Sequence, residues 1–472
     1  MGIGEDIKLT RRKFLQGAAA AGAVAAVGGI ELAAKADGEP NPKEELKYVR
    51  TTCAPNCTGG CGQKACVYND EIKYIIQASD YEDEEHNPRG CLKGLSYSNL
   101  IYGPHRMKGP SIRRGEPGSD DFEDVSWEEA LDYTGSELRR IIDTYGPESV
   151  AVVVQVAGTG HVCKGALIRL ATLNHFSVLG GYEMNGDLPM SAPITFGVQS
   201  EELDTYCWPD ARYILIFGSN PMQTRIPDAH FLNEARENGA KVVCFDPCFT
   251  ATAAKSDEWY SISPSCDAAV CNGFSRVIVE EGLYDADFIR QYTDLPLLIR
   301  DDTHKRLLAK DVPGLQIPAD MPAYRECYVV YNGEFLPVNP ERLELPTDTQ
   351  LEGAIQVTLN DGSTVTCHPT FHLLREMLSE YTPEKVQEMS DMPASEIERL
   401  AREIATVKPL HIMYGASNYQ WYHGDLKGRA MALLCVLTGN YGHLGDGMST
   451  YAGQYKLKYS STGQWWSVPE EP

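Results

Sequence analysis

Positive charge is scarce in this chain. Against 66 Asp and Glu there are only 42 Lys and Arg, a formal charge of −24 over 472 residues. That excludes a nucleic-acid partner held by a basic patch. It does not exclude phosphate ligands, which helix N-termini and loop amides hold with few cations. The acidity itself reads as a solvated, soluble surface. No Gly-x-Gly-x-x-Gly follows any predicted strand, which argues against a nicotinamide Rossmann site. Internal repeats, heptads and low-complexity tracts are absent beyond the N-terminal segment. The apolar run Gly17 to Ile30 is too short and too rich in Gly and Ala to span a membrane, and it has no polar face for an interfacial anchor. What remains, with 43% hydrophobic residues, is enough for two to three globular domains.

Cysteine, by contrast, is plentiful at 14 residues. Cys53, Cys57 and Cys61 recur every four residues, and Cys91 follows from a separate turn, Arg89-Gly90-Cys91-Leu92-Lys93-Gly94. Pro55, Gly59 and Gly60 permit the tight turns that bring such thiols together. Four thiolates without a nearby histidine suit an iron–sulfur cluster or a structural zinc. Zinc prefers paired Cys-x2-Cys or Cys-x4-Cys knuckles, so the spacing favours the cluster. A disulfide framework is unneeded in a chain this long. The other ten cysteines, Cys66, Cys163, Cys207, Cys244, Cys248, Cys266, Cys271, Cys327, Cys367 and Cys435, read as small buried hydrophobes.

Thr10-Arg11-Arg12-Lys13-Phe14-Leu15 ahead of the apolar run forms a twin-arginine signal, with Ala34-Lys35-Ala36 as its cleavage site. This route exports proteins already folded, so it suits a chain that takes up its cofactor in the cytosol. The expected destination is periplasmic or otherwise extracytoplasmic. Asp37 to Glu45 reads as a linker.

Further along, Val67 to Ile76 predicts a hairpin turning at Asn69-Asp70. Ser126-Trp127-Glu128-Glu129 is a capping box opening a helix with Trp127, Leu131, Leu138, Ile142 and Tyr145 on one face. Apolar strands at Tyr213 to Phe217 and Lys241 to Phe245 alternate with helices, the pattern of a doubly wound parallel sheet in an α/β fold. Ligands in such sheets bind beyond the strand carboxyl ends, where Gly218-Ser219-Asn220 and Asp246 fall. Leu297 to Thr366 is irregular and strand-rich, with a hairpin signal at Asn360-Asp361-Gly362. Helical periodicity returns over Pro369 to Leu378, Ala394 to Val407 and Gly428 to Leu437.

Three further stretches join the cysteine motif: Gly186-Asp187-Leu188-Pro189-Met190-Ser191-Ala192-Pro193, Gly218 through Phe231, and Gly453-Gln454-Tyr455-Lys456-Leu457 with Thr462-Gly463-Gln464-Trp465. Together they resemble the catalytic subunits of the DMSO reductase superfamily, in the branch of the nitrate reductases and ethylbenzene dehydrogenase. The resemblance implies a small iron–sulfur N-terminal domain followed by doubly wound α/β domains of the molybdopterin oxidoreductase type. It implies a 4Fe-4S cluster on Cys53, Cys57, Cys61 and Cys91, and molybdenum held by bis(molybdopterin guanine dinucleotide). Asp187 matches the branch's molybdenum carboxylate, with Ser191 as the competing ligand. Lys456 matches a pocket lysine that polarises or protonates an oxyanion, and Lys93 a cation between cluster and pterin. Asn220, Thr224, Arg225, Asp246, Thr250 and Asp267 match guanine-dinucleotide contacts. Gly415, Asn418 and His423 match contacts to the second pterin. The sequence departs from the branch at Cys53, where histidine is frequent, and at Pro264-Ser265-Cys266-Asp267, where Pro-Gly-Thr-Asp is usual.

The implied organisation is a signal peptide over 1–36, a 4Fe-4S domain over 46–106, an incomplete α/β domain from 107–200 plus 408–472, and a dinucleotide-binding α/β domain over 201–407. The implied activity is oxygen-atom transfer or hydroxylation, with electrons passing through the cluster to or from an iron–sulfur partner subunit, and a membrane or haem subunit beyond it. Family members run to roughly twice this length, so the chain is expected to be the N-terminal half of the working enzyme. The competing expectation is a truncated, non-catalytic paralogue retaining electron transfer alone.

Overall fold

The computed structural model describes residues 46–53, 57, 61–80, 90–154, 161–180, 189–197, 205–319, 321–322, 325–339 and 345–450. The signal sequence, Asp187 and Lys456 lie outside the described residues. Lys47–Thr52 (β1), Gly62–Tyr68 (β2) and Glu71–Gln77 (β3) make an antiparallel sheet in that order. The β2–β3 turn is the predicted pair, Asn69 and Asp70, both left-handed (φ 52° and 62°) as a two-residue hairpin of primed type requires. Two short helices follow, Leu92–Leu95 (α1) and Tyr97–Ile101 (α2).

Ser111–Arg113 (β4) and Phe122–Asp124 (β5) form a small hairpin before Trp127–Tyr145 (α3). The Ser126 hydroxyl accepts from the Glu129 N–H at 3.1 Å, but the Glu129 carboxylate turns to Arg114 at 2.9 Å. Only half of the capping box is therefore made. The helix is amphipathic as read, yet none of its residues is buried, and Trp127, Leu131 and Tyr145 are exposed among the described residues. Ala151–Val154 (β6) and Ser177–Gly180 (β7) pair in parallel across His161–Asn174 (α4), and Ser191–Phe196 (α5) follows.

The main sheet begins at Tyr213–Phe217 (β8). Pro221–Thr224 (α6) and Ala229–Glu237 (α7) lead to Lys241–Phe245 (β9), and Glu258–Tyr260 (β10) lies beyond it. Asp267–Glu280 (α8) and Ala286–Tyr292 (α9) come next. A β-rich excursion then carries Leu298–Arg300 (β11), Tyr328–Tyr331 (β12), Phe335–Val338 (β13), Ile355–Thr358 (β14) and Thr364–Pro369 (β15). Thr370–Leu378 (α10), Pro383–Ser390 (α11) and Ala394–Thr406 (α12) return the chain to the sheet. Leu410–Tyr414 (β16), Ala416–Tyr419 (α13), Gly424–Leu437 (α14) and Gly447–Ser449 (β17) complete it.

The sheet order is β10-β9-β8-β16-β17, all parallel. Along β8, Tyr213, Leu215 and Phe217 join a core with α8, α12 and α14, while Ile214 and Ile216 join Trp208, Leu232 and Val242 on the other face. Both faces are covered, which is why the strands are continuous apolar runs. The expected doubly wound α/β architecture is present. Strand pairing cuts across one expected boundary. The expected grouping joins 408–472 to 107–200, but β16, within 408–472, hydrogen-bonds directly to β8 and so belongs to the sheet containing β9 and β10. Strand pairing between segments some 200 residues apart leaves no local trace in sequence. Among the described residues no helix is long and apolar enough to cross a membrane.

Candidate functional site

Strand register brings the cysteine motif together. Thr52 pairs with Gly62 at the end of β1 and β2, and the Cys53 N–H donates to the Cys61 carbonyl at 2.8 Å, so these two flank the sheet end. Cys91 opens α1, and its loop is tied to β3 where the Gly90 N–H donates to Gln77 Oε1 at 2.6 Å. Cys53, Cys57, Cys61 and Cys91 all line one cavity of about 350 Å³. No three His, Cys, Asp or Glu side chains among the described residues converge as ligands of a single ion. Four thiols lining one cavity match the donor set of an iron–sulfur cluster. Burial pushes the Cys61 thiol up to about 12, with neighbouring Cys53 and Cys57 adding to it, and burial raises Cys53 likewise. The protein interior thus does not hold these groups as thiolates unaided; coordination must displace the protons.

Gly94, part of the Cys91 motif, and Gln63, which the sequence reading did not single out, also line this cavity. An added Cβ at Gly94 would stand 2.6 Å from Gln63 Nε2 and 2.9 Å from Cys53 Sγ, so a side chain there would push the amide and the thiol from their places. Gln63 is buried on the same wall, and its Nε2 has no hydrogen-bond partner. An orphaned buried donor beside a thiol cavity fits a site built for an acceptor-rich group. The Gly-rich setting of Cys91 was visible in sequence, whereas nothing local marked Gln63.

The same cavity is also lined by Gln223, Thr224, Ile226 and Pro227, from the segment after β8 that holds the short α6. Lys93 spans the two units, donating its Nζ to the Gln223 carbonyl at 3.1 Å. That segment leaves the sheet where strand order reverses, since β9 and β10 extend to one side of β8 and β16 and β17 to the other. Doubly wound sheets open a ligand crevice at such a switch point. Here Phe217 and Tyr414 are partners in register, and Gly218 and Gly415 follow them side by side. A Cβ at Gly415 would lie 2.1 Å from the Gly218 carbonyl oxygen. Ser417 Oγ donates to Gly218 O at 2.7 Å and Asn418 Nδ2 to Phe217 O at 2.8 Å, fastening one strand end to the other.

The remaining predicted residues fall into three settings. Asn220 accepts from Thr252 Oγ at 2.7 Å through Oδ1 and from Thr224 Oγ at 2.9 Å through its carbonyl, which shapes the loop after β8. Asp246, at the end of β9, accepts from the Cys248 N–H at 2.8 Å, and burial followed by the nearby Asp267 charge raises its pKa. Thr250 Oγ accepts from the Ala253 N–H at 3.2 Å. Arg225 is turned inward: it is buried, 3.2 Å from Asp228, stacked over Trp208, and donating to the Thr450 carbonyl. Asp267 is paired with Lys427 at 3.2 Å, both nearly fully buried, with Trp421 over the ammonium. Lys427 had no signal in sequence, being one lysine in an otherwise ordinary helix. Ser265, at the usual glycine of its motif, keeps a left-handed backbone (φ 73°). His423 is exposed and left-handed at the start of α14, against Tyr422. Ser191 Oγ is buried, 3.0 Å from the Tyr414 hydroxyl and packed against Gly428.

Two of the ten remaining cysteines depart from the buried reading: Cys248 is exposed and Cys266 half-buried, because both sit in loops past strand or helix ends. The side chain of Cys163 lies outside the described residues.

A thiol cavity set against the switch point of a doubly wound sheet defines a class of redox protein in which an iron–sulfur centre neighbours a nucleotide-type crevice. The chain belongs to the molybdopterin oxidoreductases: the family's Fe4S4 domain matches residues 46–103 and the molybdopterin oxidoreductase domain residues 106–462. The family's cofactors are a 4Fe-4S cluster and molybdopterin-bound molybdenum. Among its relatives, perchlorate reductase subunit alpha of Dechloromonas aromatica is 35% identical over 87% of this chain and 47% of its own length. Respiratory nitrate reductase subunit alpha of Haloferax mediterranei is 34% identical over 86% of this chain and 43% of its own. Dimethyl sulfoxide reductase DmsA of Escherichia coli is 27% identical over 92% of this chain and 50% of its own. The chain therefore spans about half the length of these relatives. Acetylene hydratase from Pelobacter acetylenicus shares the fold, with a TM-score of 0.54 at 21% identity over 82% of this chain and 43% of that one.

Proposed function

We propose that this chain forms the catalytic subunit of a molybdenum oxidoreductase that transfers an oxygen atom to or from a small substrate, or hydroxylates one. The observation that carries the reading is the shared wall: Gln223 and Thr224, from the switch-point loop, line the same cavity as the four cysteines. Cluster and dinucleotide sites so placed pass electrons without an intervening carrier. When bound, the molybdopterin centre supplies two-electron oxygen-atom chemistry. The chain's own parts in this are to hold the cluster through Cys53, Cys57, Cys61 and Cys91 and to seat the dinucleotide at the loops after β8, β9 and β16. Lys93 adds a positive charge beside the cavity, favouring the reduced state of whatever occupies it.

Asp187 is the proposed protein donor to molybdenum. Ser191, the competing donor, is already engaged with Tyr414 in a buried hydrogen bond, which favours the carboxylate. Lys456 is the proposed pocket lysine for an oxyanion substrate. The names of the relatives point to perchlorate, nitrate and sulfoxides as the substrates to try first, and their designation as alpha subunits supports an iron–sulfur partner. Export through Arg11 and Arg12 would put the assembly outside the cytoplasm.

The test is metal and pterin analysis of the anaerobically purified protein with its partner, followed by assays with reduced viologen against nitrate, perchlorate, selenate and dimethyl sulfoxide. Expected are about four irons from this motif, stoichiometric molybdenum and turnover of at least one oxyanion or sulfoxide. Asp187→Ala should abolish that turnover and alter the Mo(V) resonance while sparing the iron–sulfur signal. Iron without molybdenum would overturn the reading in favour of a non-catalytic electron carrier.

A further inference from the structure

Gln63 is 1% exposed, and its Nε2 has no hydrogen-bond partner although it lines the cysteine cavity. An unsatisfied buried amide costs its full desolvation unless something in the site accepts from it. The nitrogen and Cys53 Sγ are both within 3 Å of the point where a Gly94 Cβ would stand, so the amide and the thiol face the same part of the wall. Lys93, the nearest cation on that wall, is directed to the Gln223 carbonyl instead. The acceptors such a cavity brings to Gln63 are sulfurs.

We propose that Gln63 donates its Nε2–H to a sulfur of the 4Fe-4S cluster and thereby raises the cluster's reduction potential. The inference rests on the reading that Cys53, Cys57, Cys61 and Cys91 hold that cluster. Reduction adds one electron, taken from an external reductant such as dithionite, and the added charge spreads onto the sulfurs. A fixed N–H donor stabilises the more negative, reduced form more than the oxidised one. Gly94 serves the same end, since any side chain there would displace the amide.

The experiment is an EPR-monitored potentiometric titration of the anaerobically purified protein, wild type against Gln63→Leu and Gln63→Glu, with iron and sulfide counted in each. Gln63→Leu should retain its iron and show about a tenfold lower ratio of reduced to oxidised cluster at a fixed potential, equivalent to about 59 mV for a one-electron couple. Gln63→Glu should fall at least as far, because a carboxylate repels the added charge. Midpoints unchanged with full iron would overturn the proposal and leave the cluster assignment standing. Should a variant lose its iron, the wild type decides: with glutamine labelled by 15N in the side-chain amide, pulsed EPR of the reduced cluster should show a nitrogen coupling, and its absence overturns the proposal. Wild-type protein lacking iron would overturn the cluster assignment itself.

Discussion

Gly94 is the single residue that bears most directly on the proposed cluster site. A methyl group there would meet Cys53 Sγ at 2.9 Å and Gln63 Nε2 at 2.6 Å, so the buried thiol and amide would both have to shift. Gly94→Ala should therefore lower iron content, read as iron per chain and loss of the absorbance near 400 nm, with little loss of secondary structure by circular dichroism. Cys61→Ser should do the same more completely, since an alcohol replaces a soft thiolate donor. Arg225 carries a stability term of its own. Its side chain is buried against Asp228, Trp208 and the Thr450 carbonyl. Truncating one partner of such a buried pair strands the other, so Asp228→Ala should cost roughly 3–5 kcal/mol in chemical denaturation.

At the scale of elements, the junction of β8 and β16 carries the design. Gly415 lies so near the Gly218 carbonyl that a Cβ at 2.1 Å forces backbone, not side chain, to move. Gly415→Ala should cost about 1–3 kcal/mol and lower the thermal midpoint. The loss should exceed that of Ser126→Ala, where removing the cap of an exposed helix costs about 1 kcal/mol. β8, β9 and α12 agree with the sequence reading to within one residue because each carries its own signal, whereas α14 starts at Gly424, four residues before the expected Gly428. β8 and β9 are unbroken apolar runs, α12 has a strong amphipathic period, and Asn69-Asp70 is a turn by its backbone preference. The short α11 over Pro383–Ser390 is not marked in the sequence, since about two turns of mixed polarity give no readable period.

For the whole molecule, pH dependence follows from the sheet. His411, on β16, is fully buried, with the Asp446 carbonyl at Nδ1 and the Ser449 hydroxyl at Nε2. Burial drives its pKa from 6.5 down to about 4, so the native sheet keeps it neutral. The unfolded chain binds that proton first as pH falls. Stability from this group is thus complete above 6.5 and is lost as pH falls from 6.5 towards 4. His411→Gln should flatten the stability profile in that window, measured by urea denaturation at stepped pH. Glu258 acts lower: burial raises its pKa, but Lys241 and Arg399 outweigh that and bring it to about 2. Its contribution is present above the ordinary carboxylate range and disappears as pH falls through the folded value.

Sequence by itself determined the chemistry and the local units. Four thiols with turn residues between them, a hairpin, apolar strands and capped helices all rest on interactions within a few residues, which spacing records. Only the tertiary structure decided which strand lies beside β8, and so where the switch point opens. It also decided that Lys93 reaches Gln223, that Lys427 meets Asp267, and that Gln63 is left with an unused donor at the thiol wall. Each of those is a meeting of residues far apart in the chain. Such meetings are fixed by packing the two faces of one sheet and the end of another, and no local pattern of residue types encodes them.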